Sequence, residues 1–240
     1  MMTAPIPKAI LDCGYMLLEP ARVEAQLEVR HADLHELRGS WEHLCKDLYL
    51  RDGGSYRSRR HSCFVYTPAT HMLELAPHRA HWQPVDYNAL HGGMERWFEP
   101  IDAAVRQAPV WDHLLTALGA VLDAICPVQR WYIEAHQFRI DTAAGIGRPT
   151  PEGAHRDGVD YVAIFLVERR HIRGGETRVF QAQGPQGVRF TMLEPWTLLL
   201  LDDARVIHET TPIQPADQPG VRDTLVLTFR QHGFQAPSSG

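Results

Sequence analysis

Thr197-Leu198-Leu199-Leu200-Leu201-Asp202-Asp203-Ala204-Arg205-Val206-Ile207-His208-Glu209-Thr210 decides how the second half of this 240-residue chain is read. Four leucines, too few for a helix, run into an acidic turn, and a second run rich in β-branched residues follows. The stretch therefore predicts two short strands joined at Asp202-Asp203. The same grammar recurs on both sides of it. Residues 131–140, 159–167, 177–181, 189–192 and 224–230 read as strands, with turn signals at Arg173-Gly174-Gly175-Glu176, Gly184-Pro185 and Pro219-Gly220.

Upstream of Val128 the period changes. Val23, Leu27, His31, Leu34, Leu37, Trp41, Leu44 and Leu48 recur at three- and four-residue steps, an amphipathic helical pattern over 19–50 that Gly39-Ser40 bends or divides. Residues 60–67 predict a strand before Pro68, and 94–125, broken at Pro100 and Pro109, return to helical spacing. Helices first and strands afterwards indicate an α+β chain whose β half is a sandwich or barrel.

Composition narrows the function classes. At 44% apolar residues and a formal net charge of -5 the chain reads as globular, with no broad attraction for nucleic acid. The basic cluster Arg51, Arg57, Arg59, Arg60 and His61 reads as a solvated loop and strand edge. The longest aliphatic run, 198–201, is far too short to cross a bilayer, and the first residues lack a secretory pattern, so no membrane association is expected. Cys13, Cys45, Cys63 and Cys126 are scattered without a close pair, which suits a reducing cytoplasm and argues against a zinc knuckle. Oligomeric state is open, with a homodimer among the options.

The chemistry-bearing motif is His155-Arg156-Asp157, answered by His208. A His-x-Asp pair is common, and His31-Ala32-Asp33 is another; residues two apart on a helix diverge, so that pair is set aside. His155 and Asp157 lie where a Gly/Pro-rich loop enters a strand, and residues two apart on a strand share a face. With His208, 51 positions after Asp157, they form a set of two imidazoles and one carboxylate that leaves room on a ferrous ion for a chelating co-substrate and dioxygen. Arg222, entering the last strand, could hold the distal carboxylate of a keto acid in a bidentate pair, with the Thr224 hydroxyl beside it.

His155-x-Asp157, Gly174-Gly175-Glu176-Thr177 and His208-Glu209-x-x-Pro212-Ile213 leading to Arg222 resemble the Fe(II)/2-oxoglutarate-dependent dioxygenases. Pro151-Glu152-Gly153-x-His155-x-Asp157-Gly158-Val159-Asp160, Leu199-Leu200-Leu201-Asp202-Asp203 and Arg222-Asp223-x-Leu225-Val226-Leu227-Thr228-Phe229 are similar to the bacterial branch that hydroxylates free amino acids, typified by isoleucine hydroxylase. Asn88, Gly92-Gly93, Arg96 and Phe98-Glu99-Pro100 fit that branch more loosely. The resemblance implies a double-stranded β-helix core, a jelly roll of cupin type, with N-terminal helices packed on it. It implies one dioxygenase domain over 1–240: a mainly helical part to 127, the iron-bearing core over 128–231 and a flexible tail over 232–240.

The same resemblance implies Fe(II), 2-oxoglutarate and dioxygen, a small-molecule amino acid as substrate, and succinate and carbon dioxide as products. It assigns His155, Asp157 and His208 to catalysis at the metal, and Arg222, Gln137 and Thr224 to 2-oxoglutarate. By strand alternation Arg139 shares the face of Gln137, and Tyr161 continues that of Asp157, making both substrate-pocket candidates. The alternative from another class is a non-catalytic cupin-like module that binds a metal or small ligand.

Overall fold

The structure, a computed structural model, describes residues 5–88, 90 and 92–237. Its helices are α1 (Ile6–Cys13), α2 (Pro20–Leu27), α3 (His31–Glu36), α4 (Ala103–Arg106) and α5 (Pro109–Asp123), with a 3-10 helix at Leu37–His43. Its strands are β1 (Tyr15–Leu18), β2 (Cys45–Lys46), β3 (Arg57–Thr67), β4 (Met72–Leu75), β5 (Trp131–Asp141), β6 (Tyr161–Arg170), β7 (Ile172–Gly174), β8 (Thr177–Gln181), β9 (Gly187–Phe190), β10 (Leu198–Asp202), β11 (Val206–Thr210), β12 (Ile213–Pro215) and β13 (Val221–Arg230).

All pairings are antiparallel. A large sheet runs β1-β10-β6-β13-β5-β3-β2 with β4 added to β3, and smaller sheets are β11-β8-β9 and β12-β7. Alternation along the long strands separates two faces. Leu225, Leu227 and Phe229 of β13, Ile133 and Ala135 of β5, and Phe165 of β6 join Trp111, Leu115 and Leu118 of α5 and Trp41 in one core. From the opposite face Val162, Leu166, Leu199 and Leu201 meet Val179 of β8 and Val206 of β11. The result is a helical layer, a large sheet and a small sheet, the mixed α+β jelly roll expected. The leucine run serves both interfaces, with Leu198 and Leu200 under the helices and Leu199 and Leu201 toward the small sheet.

The helical half departs from expectation in detail. Residues 19–50 hold two short helices and a 3-10 turn rather than one helix, because Glu28 takes a left-handed conformation (φ 53°) at the end of α2 and the turn containing Gly39-Ser40 tightens. Helix resumes only beyond Pro100, in α4 and α5. Gly119 of α5 has no side chain for a specific reason: a Cβ there would collide with the ring of Tyr66, so its absence lets the helix lie directly on β3. The expected flexible tail is docked over its described part, where Gln235 is 7% exposed and donates to the carbonyls of Asp157 and Gly158; 238–240 lie outside the described residues.

Candidate active site

His155 and His208 come from distant segments and are joined by an isolated antiparallel bridge, each backbone N–H donating to the other's carbonyl at 3.0 Å. That exchange sets their rings side by side, centroids 4.7 Å apart. Asp157 follows in the loop before β6, its oxygens 3.8 Å from Nε2 of both histidines. Among the described residues these three bring one ligand atom each to within 4.8 Å of one another.

The donor set fits a divalent ion. His155 Nδ1 lies 2.9 Å from the Gly153 carbonyl, and donating there fixes the tautomer that leaves the Nε2 lone pair for a metal. Burial holds His208 neutral, its pKa well below the usual value, with the neighbouring His155 adding to the effect. Burial also opposes charge on His155, but the carboxylates of Asp157 and Glu152 outweigh it and raise its pKa. Two imidazoles and a carboxylate converging from one side are the donor chemistry of a non-haem ferrous site.

Two contacts aim Asp157. The Asp203 carboxylate accepts the backbone N–H groups of Asp157, Gly158 and Val159 at 3.0, 2.8 and 3.1 Å. Burial and the charge of Asp157 push the Asp203 carboxyl up to about 7. Gln83 Nε2 donates to Asp157 Oδ1 at 3.1 Å, while Asn88 and Arg96 donate to Gln83 Oε1 and so fix which way its amide points.

The triad opens on a cavity in the inner face of the large sheet. Arg222, Thr224, Val226 and Thr228 of β13, Glu134, His136, Phe138 and Ile140 of β5, and Arg57 and Arg59 of β3 line it. Arg222 is 5% exposed, and burial together with Arg169 lowers its pKa to about 10; it and Thr224 both face the cavity, as the sequence indicated.

Other expectations are corrected. Gln137 and Arg139 have the opposite parity on β5 and face the helical layer. Gln137 Nε2 donates to Ser40 Oγ, and the Arg139 guanidinium bonds both Asp223 and Glu42. Tyr161 packs edge-on against Trp131 in the core, because Gly158 at φ 74° interrupts the alternation that would have carried the Asp157 face into β6. The basic cluster is not a solvated edge either: Arg57, Arg59 and His61 are buried, Arg57 and Arg59 as cavity wall.

A second group, His61, His81, Glu134 and His136, also brings potential ligand atoms together. Its hydrogen bonds identify it as a caged carboxylate. Glu134 Oε2 lies 2.9 Å from His61 Nε2 and 2.7 Å from His81 Nδ1. Arg59 Nη2 donates to His136 Nδ1 at 2.7 Å, so the neutral His136 ring keeps its proton on Nε2 and has no lone pair there for a metal. Burial alone would raise the Glu134 pKa, but the imidazole donors hold it far below the usual range, and burial keeps the three histidines neutral, His81 down to about 4. Sequence reasoning missed this cage because its key register, His61 opposite His136, exists only once β3 pairs with β5.

The sequence profile of the 2OG-Fe dioxygenase family matches residues 38–228. The chain belongs to that family. Fe(II), 2-oxoglutarate and dioxygen are therefore its cofactor and co-substrates, and the protein is a non-haem iron oxygenase. The crystal structure of a bsmA homolog from Methylobium petroleophilum PM1 is 53% identical to this oxygenase, with a TM-score of 0.94 over 99% of this chain and 98% of that one. IDO from Bacillus thuringiensis shares the fold at 17% identity and a TM-score of 0.76, covering 94% of each chain. The Fe(II)/(alpha)ketoglutarate-dependent dioxygenase TqaL shares it at 17% identity and 0.73, covering 94% of this chain and 86% of that one. No curated protein sequence matches the chain. No helix among the described residues is long and apolar enough to cross a membrane.

Proposed function

We propose that the protein hydroxylates an unactivated carbon of a free L-amino acid, aliphatic or cyclic, with release of succinate and carbon dioxide. The observation that carries this reading is a cavity holding the His155, Asp157 and His208 triad together with a buried Arg222 and further charged groups of both signs. The motifs of 151–160 and 222–229, similar to those of amino acid hydroxylases, point the same way. Family membership sets aside the non-catalytic binding module.

His155, Asp157 and His208 would hold the iron, which when bound supplies the dioxygen chemistry that couples decarboxylation of the keto acid to oxidation of a C–H bond. Arg222 pairs with the distal carboxylate of 2-oxoglutarate in a site with little competing water, and the Thr224 hydroxyl adds a hydrogen bond. Val226, Ile164 and Val159 supply apolar wall that keeps water and alternative hydrogen donors from the reacting carbon. Gln83 and Asp203 hold Asp157 in position throughout.

The test is succinate release from 2-oxoglutarate by Fe(II)-loaded protein across a panel of L-amino acids, with the product identified by mass. Succinate stimulated by one or a few neutral amino acids, with a matching gain of one oxygen atom, is the expected result. Metallated protein that binds 2-oxoglutarate but is stimulated by no amino acid would refute the substrate class.

A further inference from the structure

We propose that three residues lining the cavity are specificity-determining, Arg59 and Arg96 receiving the carboxylate and Glu152 the ammonium of a zwitterionic substrate. This rests on the amino acid reading above and adds to it the partners of each charged end.

The cationic side carries more donors than the protein can satisfy. Arg96 is 2% exposed, yet its Nη2 donates only to the neutral amide of Gln83, and its Nε is buried without an acceptor. Among the described residues no carboxylate lies within ion-pair distance of it. Arg59, 3% exposed, is clamped between the rings of Phe98 and Phe138, 3.8 and 4.4 Å from their centroids. Its Nη2 is used by His136 and its Nε has no acceptor. The nearest carboxylate, Asp47, stands 3.9 Å away and already accepts Arg57 Nε at 2.7 Å. Glu134 Oε2 is already shared by two imidazoles. Two buried guanidiniums thus face the cavity with Asp47 and Glu134 as shared counter-charges, neither held in a close ion pair with Arg59 or Arg96, an arrangement that is costly unless an anion completes it.

The opposite sign is also left open in the cavity lining. Glu152 Oε2 is buried without a donor, and Oε1 lies 3.6 Å from His155 Nε2. At 3.6 Å that contact is too long for a hydrogen bond and leaves Glu152 without a donor. Glu152 acts on Arg96 through space without reaching ion-pair distance. A cation with several N–H groups between the triad and Arg96 would satisfy it, and a primary ammonium does so. Arg222 sits across β5 from Arg59 and one same-face step along, opposite Ile140 where Arg59 is opposite Phe138, so one cavity presents two cationic sites, one for the keto acid and one for the substrate carboxylate. The planar guanidinium clamped by Phe98 and Phe138 is also oriented before a ligand arrives, which lowers the ordering cost of binding.

The experiment measures binding to the Fe(II)- and 2-oxoglutarate-loaded protein held without oxygen, by calorimetry. The probes are L-leucine, 4-methylpentanoate, which lacks the ammonium, and 3-methylbutylamine, which lacks the carboxylate, each repeated with L-isoleucine and its corresponding analogues. Wild type should bind the amino acid at least tenfold more tightly than either truncated analogue. Glu152→Gln, nearly isosteric and on a loop, should weaken the amino acid about 10- to 100-fold and leave 4-methylpentanoate unchanged. Arg59→Met and Arg96→Met should weaken the amino acid and 4-methylpentanoate alike and spare the amine, with thermal melting confirming that each variant is folded. Amino acid binding that survives Glu152→Gln, or a loss shared equally by 4-methylpentanoate, overturns the assignment while leaving the amino acid reading intact. Wild type that binds neither amino acid nor any other neutral L-amino acid overturns both.

Discussion

Asp203→Ala removes the carboxylate that accepts the backbone N–H groups around Asp157. Three N–H groups lose their acceptor, those of Asp157 at 3.0 Å, Gly158 at 2.8 Å and Val159 at 3.1 Å. Each bond is worth roughly 1 kcal/mol net, somewhat more when the acceptor is charged, so the loop loses about 3 kcal/mol of local stability. Asp203 is 2% exposed, and side-chain water cannot replace it without reorganising the loop. About 3 kcal/mol corresponds to amide exchange over 157–159 that is roughly a hundredfold faster, read by hydrogen-exchange mass spectrometry of the metal-free protein. Zinc or nickel affinity, measured against a competing chelator, should fall about 10- to 100-fold because a metal ligand has lost its backbone support. Asp203→Asn should fall between the two, since one oxygen still serves Gly158 and Val159 while its NH2 faces the Asp157 N–H. Unchanged exchange over 157–159, or metal affinity within twofold of wild type, would refute the reasoning.

Three further outcomes follow from the same contacts. Gln83→Leu removes the donor to Asp157 Oδ1 and should weaken zinc binding about tenfold or more; unaltered affinity would show that Gln83 merely fills space. Arg222→Ala should cost 2-oxoglutarate about 3 kcal/mol of binding while metal affinity holds, and an unchanged co-substrate Kd in calorimetry would remove Arg222 from that role. His81 has a folded pKa depressed from 6.5 to about 4 by burial, so its contribution is complete above pH 6.5 and is lost as pH falls toward 4. In urea unfolding, the stability advantage of wild type over His81→Asn should therefore shrink by about 3 kcal/mol between pH 7 and pH 4; a constant difference would show that His81 does not titrate as a buried neutral ring.

The β half and the triad were legible because they are carried by short-range grammar. Turn residues punctuate 128–231 at regular intervals, and the leucine run and the His208 strand are spelled out in sequence. Arg222 and Thr224 line the cavity with Val226 and Thr228 because parity along β13 runs unbroken from them. Parity failed where the sequence offered no anchor. On β5 both faces carry polar residues, His136 and Glu134 on one and Gln137 and Arg139 on the other, and only pairing with β3 and β13 decides which is inside. For Tyr161 the left-handed Gly158 reset the alternation. The cavity wall was least legible: Arg57 and Arg59 look like surface residues by composition, and their burial depends on Asp47, Phe98 and Phe138 arriving from elsewhere in the chain.

The most direct test is a crystal of the protein with Fe(II) and 2-oxoglutarate grown without oxygen, with the iron located by its anomalous signal. The account predicts iron about 2.2 Å from His155 Nε2, His208 Nε2 and an Asp157 oxygen, with the distal carboxylate of the keto acid on Arg222 and Thr224. Iron held by His61, His81 and Glu134, or 2-oxoglutarate anchored on Arg59 and Arg96 with Arg222 unengaged, would contradict it.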